Sequence, residues 1–583
     1  MSSHSASSLQ ELHPSPSART AGGRMVVTGP MEPTFDTVLT HDALDFLAAL
    51  HTEFLTERRT LLTQRGPRND AIARGDLPAH REDTRHIRED SSWRAIGHDG
   101  APGLSRRRVE ITGAPDGRTA VNALNSDADS WLADFEDAMS PTWSNVVLGQ
   151  VNLRAAVRNR LKHVTRVGKY YEQRSSRRST AAQPTIVVRP RGIHMPEAHL
   201  RYVDRNGAET QASASLVDFG LYFFHNVEEL VARGSGIYFC VPKVESAAEA
   251  RWWNRLFVRA QELMGIDPGT LRATVLIESL GAAIEMEEIV WELRDHCAGL
   301  HAGRWDFIFS MTKAFRHDSS FLLPDRKEIT MELPFLTHYA QRIIDVSHRR
   351  GIHALGGMAT AFPDREDPEL TAAAQQGVRD DKEREAAQGF DGTWVAHPTL
   401  IPVAREAFEE VLGEADHQID RIPQTGGSGE NGRITSADLL SREGLPTPED
   451  LREHVSEEGV RTNIRACIAY LNAWLSGKGA LKVDHLVEDV SSVEISRAQI
   501  WQWIRRGVKM DNGRVLTTAL VDRYVAEELA ITSRNPLDHF CDSAELLRWG
   551  ALGDELPDSF TVEAYQRFMI DRATKKAPFP FAA

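Results

Sequence analysis

"AGLHAGRWDFIFS", residues 298–310, poses the question of direction on which the fold and its working end depend. Asp306 stands directly before the apolar run Phe307-Ile308-Phe309. If that run is a strand, the carboxylate opens it. If the strand instead runs through the Gly-rich stretch and closes at Asp306, the carboxylate sits at its other end. A parallel barrel or wound sheet collects its chemistry at the carboxyl ends of strands, so the direction separates a ligand from a solvated charge.

Short apolar runs recur on both sides of this stretch. They are "AVNAL" (120–124), "WLADFED" (131–137), "TIVVRP" (185–190), "IYFCVPK" (237–243), "ATVLIE" (273–278), the stretch near 299–309, "IHALGGM" (352–358) and "GTWVAHP" (392–398). The segments between them often read as helices. "SAAEARWWNRLFVRAQELMG", for example, carries Trp253, Leu256, Phe257 and Leu263 largely on one face. Apolar strands alternating with helices predict a parallel sheet buried on both faces. Eight candidate strands match a (β/α)8 barrel. A doubly wound open sheet is the alternative, and a count of strands does not exclude it.

The chain has 583 residues, too many for one compact unit. A flexible tail is expected over 1–30, a mainly helical region over 31–108 and the barrel over 109–420. The Gly-rich "PQTGGSGENGR" (423–433) anchors a linker over 421–433, and an all-helical domain follows over 434–583. In the first helical region, Leu44, Phe46, Leu47 and Leu50 recur at helical spacing. In the last, "TNIRACIAYLNAWL" places Ile464, Cys467, Ile468, Leu471 and Leu475 at such spacings. "QRSSRRSTAAQP" (173–184) reads as a surface insertion.

With 68 basic and 83 acidic side chains the formal net charge is -15, the wrong sign for a general nucleic-acid binder. Acidic substrates then require local Arg or Lys groups. Cys240, Cys297, Cys467 and Cys541 form no CxxC pair, so neither a disulfide framework nor a zinc site is expected, and a reducing cytoplasm fits. No apolar run reaches the roughly 18 residues of a membrane span. The first thirty residues lack the apolar core of a secretion signal, and the closing "PFPFAA" is no peroxisomal address.

Charged groups stand where the expected strands end. Arg189 and Arg191 close "TIVVRPRG", Lys243 and then Glu245 follow "IYFCVP", and Glu278 closes "ATVLIE". Asp306 joins them only if its strand is "GLHAGRWD". One such charge is ordinarily just solvated. Two carboxylates and two arginines on neighbouring strand ends are harder to dismiss.

"RDHCAGLHAGRWDFIF" (294–309) resembles the signature of the malate synthases. So do "TIVVRPRGIHMPEAH", "ATVLIESLGAAIEMEEI" and "HLVEDVSSVEISRAQIWQW". With "TRHIREDSSWR" and "DGTWVAHP", the resemblance runs from about residue 84 to 510, in the shorter A-type form. Two positions depart: His301 where Asn is usual and Phe307 where Tyr is usual. The resemblance implies a TIM barrel whose mouth is covered by a helical C-terminal plug. It also implies condensation of acetyl-CoA with glyoxylate, and hydrolysis of malyl-CoA to malate and CoA, in the glyoxylate cycle with magnesium. By motif, Glu278 and Asp306 correspond to metal ligands, Arg189 to the active-site arginine and Asp489 to the catalytic base. Gly303, Arg304, Trp305 and Asp306 would grip glyoxylate, partly through backbone amides. On this reading Asp306 closes its strand and the apolar run follows the site.

The chemistry asks for such groups. Magnesium takes oxygen ligands, commonly one or two carboxylates with positions left for substrate. The acetyl methyl is a very weak carbon acid, so the developing enolate oxygen needs a cation that stays protonated. Blander roles stand beside each residue. Asp489 reads by default as a helix cap, with Glu488 the rival base; Arg191 reads as a salt-bridge partner and "GGM" (356–358) as a turn or an approach to phosphate. A malyl-CoA or citryl-CoA lyase-like enzyme is the runner-up. A non-catalytic acyl-CoA-binding protein would have lacked the metal pair or the base.

Overall fold

A computed structural model describes residues 22–165, 167–174, 183–362, 367–532, 534–535 and 537–570. The eight central strands are β1 (Val109–Gly113), β2 (Ser130–Asp134), β3 (Thr185–Arg189), β4 (Ile237–Val241), β5 (Leu271–Ile277), β6 (Cys297–Ala302), β7 (His353–Ala359) and β8 (Gly392–Val395). Each pairs in parallel with its sequence neighbours, and β8 pairs with β1, so the sheet closes into a barrel. The open wound sheet is thereby excluded. Val109, Val188, Phe239, Val275, Leu300, Ala354 and Val395 are buried, as continuous apolar strands covered by helices require.

Several expectations need correction. The run 120–124 is not a strand: it lies in the helix Gly117–Leu124, which Asp116 caps by accepting from the Arg118 and Thr119 amides. The first barrel strand is Val109–Gly113. Phe307, Ile308 and Phe309 are helical too, inside α2 (Arg304–Ala314), and their side chains are buried. β6 ends at Ala302, so Asp306 stands beyond the strand in the first turn of that helix. The tail expected over 1–30 is ordered in its last part. Arg24–Val27 pairs antiparallel with Pro196–Val203, while residues 1–21 lie outside the described residues. Of the insertion at 173–184, residues 175–182 also lie outside them.

α1 (His41–Ala73) precedes the barrel and buries Phe46, Leu47, Leu50 and Phe54 against it. The C-terminal region is built on α3 (Glu457–Leu475) and α4 (Val490–Arg505), whose Ile464, Ile468, Leu471, Val493, Ile500 and Trp503 share one core. It is not all-helical, because Leu481–Val483 and Leu486–Glu488 form a two-stranded hairpin directly before Asp489. That hairpin is tied to the loop after β7: the Val487 amide donates to the Thr360 carbonyl at 2.8 Å and Phe362 donates to His485 at 2.8 Å. No helix of the described residues is long and apolar enough to cross a membrane.

α4 docks through side-chain amides as well as apolar contact. Gln499 Nε2 donates to the Pro324 carbonyl at 2.7 Å, and Trp503 Nε1 to that of Leu323 at 2.8 Å. Gln502 is used at both ends, donating to Phe321 O at 2.8 Å and accepting from Leu323 N at 3.0 Å. Gln502→Ala would leave a buried N–H and a buried C=O without partners. We expect a loss of about 1–3 kcal/mol, read as a shift in the urea midpoint at constant slope; an unchanged midpoint would show that this side chain does not hold the docking.

Candidate active site

The parallel register builds the site. Asp134 and Arg189 are Cα partners at the carboxyl ends of β2 and β3. Arg189 Nε donates to Asp134 Oδ1 at 2.7 Å and Nη2 to Oδ2 at 2.8 Å. The same Nη2 reaches Asp137 Oδ2 at 2.5 Å. Asp134 also gathers the turn that follows it, accepting from the amides of Glu136 (2.8 Å), Asp137 (3.2 Å) and Ala138 (3.0 Å). The turn therefore aims Asp137 inward. Burial opposes the charge on Arg189, but Asp134 and Asp137 outweigh it and keep the guanidinium protonated. Nη1 takes no part in these bonds, and Trp394 lies beside the guanidinium at 5.8 Å.

Glu278 follows β5. Gly303, just past β6, lies so close that a Cβ there would stand 2.6 Å from the Glu278 Cβ, so only glycine lets the two strand ends converge. Gly303 N donates to Tyr339 Oη at 2.8 Å, and Tyr339 in turn bonds the Ile277 carbonyl. Phe307 stacks on Tyr339 at 4.2 Å with an interplanar angle of 10°, so its ring supports this joint without a hydroxyl. With Gly303 as N-cap, the amides of Arg304, Trp305 and Asp306 have no intrahelical acceptor. Asp306 complements the positive end of α2.

Asp137, Glu278 and Asp306 each place a carboxylate oxygen within 4.8 Å of the other two. Asp137 Oδ1 and Glu278 Oε2 are buried and accept no hydrogen bond. Lys243 Nζ stands by, 2.5 Å from Asp306 Oδ2, 3.3 Å from Asp137 Oδ1 and 3.5 Å from Glu278 Oε2. Burial drives the Glu278 carboxyl well above its usual range, and the Asp306 and Asp137 charges add to that against Lys243. Burial also acts on Asp137, but Arg189 and Lys243 overcome it and hold the group below the ordinary value. Buried carboxylate oxygens without donors, facing one another, fit a hard divalent cation that takes oxygen ligands.

Asp489 caps α4. Its Oδ1 accepts from Ser491 Oγ at 2.6 Å and from the Ser492 amide at 3.2 Å, while Ser492 Oγ accepts from the Asp489 amide. The cap reading and the site reading thus hold together. Burial, then the Asp137 and Asp306 charges, push its carboxyl to about 7, despite the Ser491 hydrogen bond and Arg189. Its neighbour Glu488 is bound on both oxygens by Arg326.

Arg189, Glu278, Gly303, Arg304, Trp305, Asp306 and Asp489 all line one cavity of about 610 Å³. Arg191 does not: it is buried in bonds to Asp218 (2.8 Å) and Glu197 (3.0 Å). Glu245 faces away to Arg65 and Arg68. Gly356 and Gly357 are part of β7, where the Gly357 amide donates to Glu385 Oε1 at 2.8 Å. His301 is buried lower in the barrel, Nε2 2.9 Å from Glu110. Sequence reasoning missed Asp137 and Asp134, although "WLADFED" ends in acids just where a strand-end rule looks.

Three family descriptions match in sequence order: "Malate synthase, N-terminal domain" over 24–86, "Malate synthase, TIM barrel domain" over 185–442 and "Malate synthase, C-terminal" over 454–568. A malate synthase of Streptomyces clavuligerus is 46% identical over 550 residues, covering 93% of this chain and 98% of its own. One of Myxococcus xanthus (strain DK1622) is 42% identical, covering 96% and 98%. A glyoxysomal malate synthase of Candida tropicalis is 39% identical, covering 92% and 94%.

Asp134 makes the most bonds of any group in this cluster. Asp134→Ala strands a buried guanidinium and unpins the following turn. It should cost about 3–5 kcal/mol of stability and lower turnover, and near-native values of both would show that Asp137 alone positions Arg189.

Proposed function

The chain belongs to the malate synthase family, and on that premise we propose which of its residues carry the reaction. It is a Claisen-condensing acyltransferase that makes malate, and the substrates on this reading are acetyl-CoA and glyoxylate. The observation that carries the assignment is the convergence on one cavity of Arg189, Glu278 and Asp306 from the barrel with Asp489 from the C-terminal region.

Glu278 and Asp306, with Asp137 alongside, are the residues that would hold magnesium, which supplies Lewis-acid polarisation of the glyoxylate carbonyl when bound. The free amides of Arg304, Trp305 and Asp306 at the start of α2 suit the glyoxylate carboxylate. Asp489 removes a proton from the acetyl methyl with Oδ2, the oxygen its capping bonds leave free. Arg189, held protonated, faces the oxygen on which enolate charge develops. The enolate carbon then attacks the aldehyde carbon, and hydrolysis of the thioester releases CoA. Burial under the C-terminal region keeps bulk water from the enolate.

We further place the chain in the A-type branch and in a reducing cytoplasm. Buried, unpaired Cys240, Cys297 and Cys467 support the second point; the Candida tropicalis relative, by contrast, is glyoxysomal. The division into 31–108, 109–420, 421–433 and 434–583 stands as our domain proposal, supported at 109 by the start of β1.

The direct test follows thiol release from acetyl-CoA and glyoxylate. Chelator should abolish it and magnesium restore it; full activity in a metal-free preparation would remove the cation from the scheme. Asp489→Asn should lower kcat about 10²–10⁴-fold with little change in magnesium affinity. Glu488→Gln should keep most of the activity, and the reverse ranking would move the base by one residue. Because Asp489 is held at about 7, its unprotonated fraction falls below that pH. Wild-type kcat should therefore decline on the acid side, at a lower pH once magnesium neutralises the Asp137 and Asp306 charges that help raise Asp489, and a kcat profile with no acid limb at all would argue against Asp489 as base.

A further inference from the structure

We propose that Lys243 is a tethered counter-ion of the acidic triad: its ammonium holds the carboxylate oxygens that a divalent cation would take, and gives way to that cation. This rests on the reading of Asp137, Glu278 and Asp306 as a cation site.

The ammonium does not flank the triad but faces all three of its members, at 2.5, 3.3 and 3.5 Å. Two of those oxygens, Asp137 Oδ1 and Glu278 Oε2, receive no hydrogen bond of their own, so Nζ is the positive charge nearest to hand. A magnesium–oxygen bond of about 2.1 Å to Asp306 Oδ2 would bring the ion within about 4.6 Å of Nζ. In a buried setting two cations at that separation repel strongly. Both cannot keep the same three oxygens.

The backbone of Lys243 is fixed by bonds that do not involve its ammonium. Its φ is 55°, a left-handed conformation that non-glycine residues rarely adopt. Its amide donates to Glu278 Oε1 at 2.5 Å and its carbonyl accepts from Arg65 Nη2 at 2.8 Å. A change of rotamer in the four-carbon stem therefore leaves the backbone bond to Glu278 Oε1 in place. Space for it exists in a second cavity of about 430 Å³, lined by Lys243, Glu136, His194, Glu245, Glu278 and Asp306. Glu245 is already bound by Arg65 and Arg68. Glu136 accepts a backbone bond from Gly192 at 2.6 Å and has His194 at 3.8 Å, and it is one receptive partner in that cavity, which Asp558 and Glu563 also line.

Such a lysine would keep three buried carboxylates from repelling one another and would weaken the cation affinity by competition. The test titrates magnesium into the metal-stripped full chain and into Lys243→Met by calorimetry. Thermal unfolding is recorded alongside, in chelator and in saturating magnesium. The variant should bind magnesium about tenfold more tightly or better. It should unfold at lower temperature than wild type in chelator, and the gap should close in magnesium. Unchanged or weaker binding overturns the proposal, because Lys243 would then support the site and not compete for it. Lys243→Gln, which retains a hydrogen-bond donor, carries the same comparison if the methionine variant does not fold. If wild type itself takes no magnesium, the cation reading of the triad falls first; if wild type binds and neither variant tightens, only the counter-ion role falls.

Discussion

The pairing of Asp134 with Arg189 across two neighbouring barrel strands is the constraint on which the site hangs. Parallel register makes the two residues Cα partners, so their side chains meet before any loop has been positioned. The acid spends its two oxygens on five donors, two from the guanidinium and three from the amides of the turn after β2. One carboxylate thus fixes the plane of Arg189 and the direction of Asp137. A buried ion pair is weak evidence for stability, because both partners lose their hydration. Its value here is orientation: Arg189 lines the cavity with Nη1 outside these bonds.

The C-terminal region solves a different problem. An acid with a raised pKa has to reach a barrel mouth from a separate part of the chain, and hold still. Asp489 does so by being the N-cap of α4: the bonds that start the helix also fix the carboxylate. One oxygen serves the helix and the other takes no capping bond. The hairpin before it is stitched to the loop after β7, and the helix after it is anchored by Gln499, Gln502 and Trp503. Both flanks of Asp489 are thereby tied to the barrel.

Much of the fold was legible because buried parallel strands leave continuous apolar runs that few other structures produce. Seven of the eight runs read as strands overlap barrel strands, and 120–124 does not. Four apolar residues around Asn122 read alike as a buried strand or one helix face, and the cap that decides, Asp116, lies outside the run. The apolar triplet 307–309 carries the same ambiguity. The strand ends before Gly303 and Asp306 favours the helix N-terminus, so the carboxylate belongs to the first turn of α2.

The sequence by itself determined the alternation that makes a barrel and, through long motifs, the family and seven residues that line the cavity. Those signals are local: period, strand-end charge and contiguous pattern survive in a linear string. Only the tertiary structure decided that Asp137 joins Glu278 and Asp306, that Arg191 belongs to a buried bridge with Asp218, and that Glu488 is engaged by Arg326. It alone placed Lys243 among the three carboxylates. These outcomes depend on distances between strand ends far apart in sequence. Register and closure of the sheet set those distances, and neither is written in any single segment.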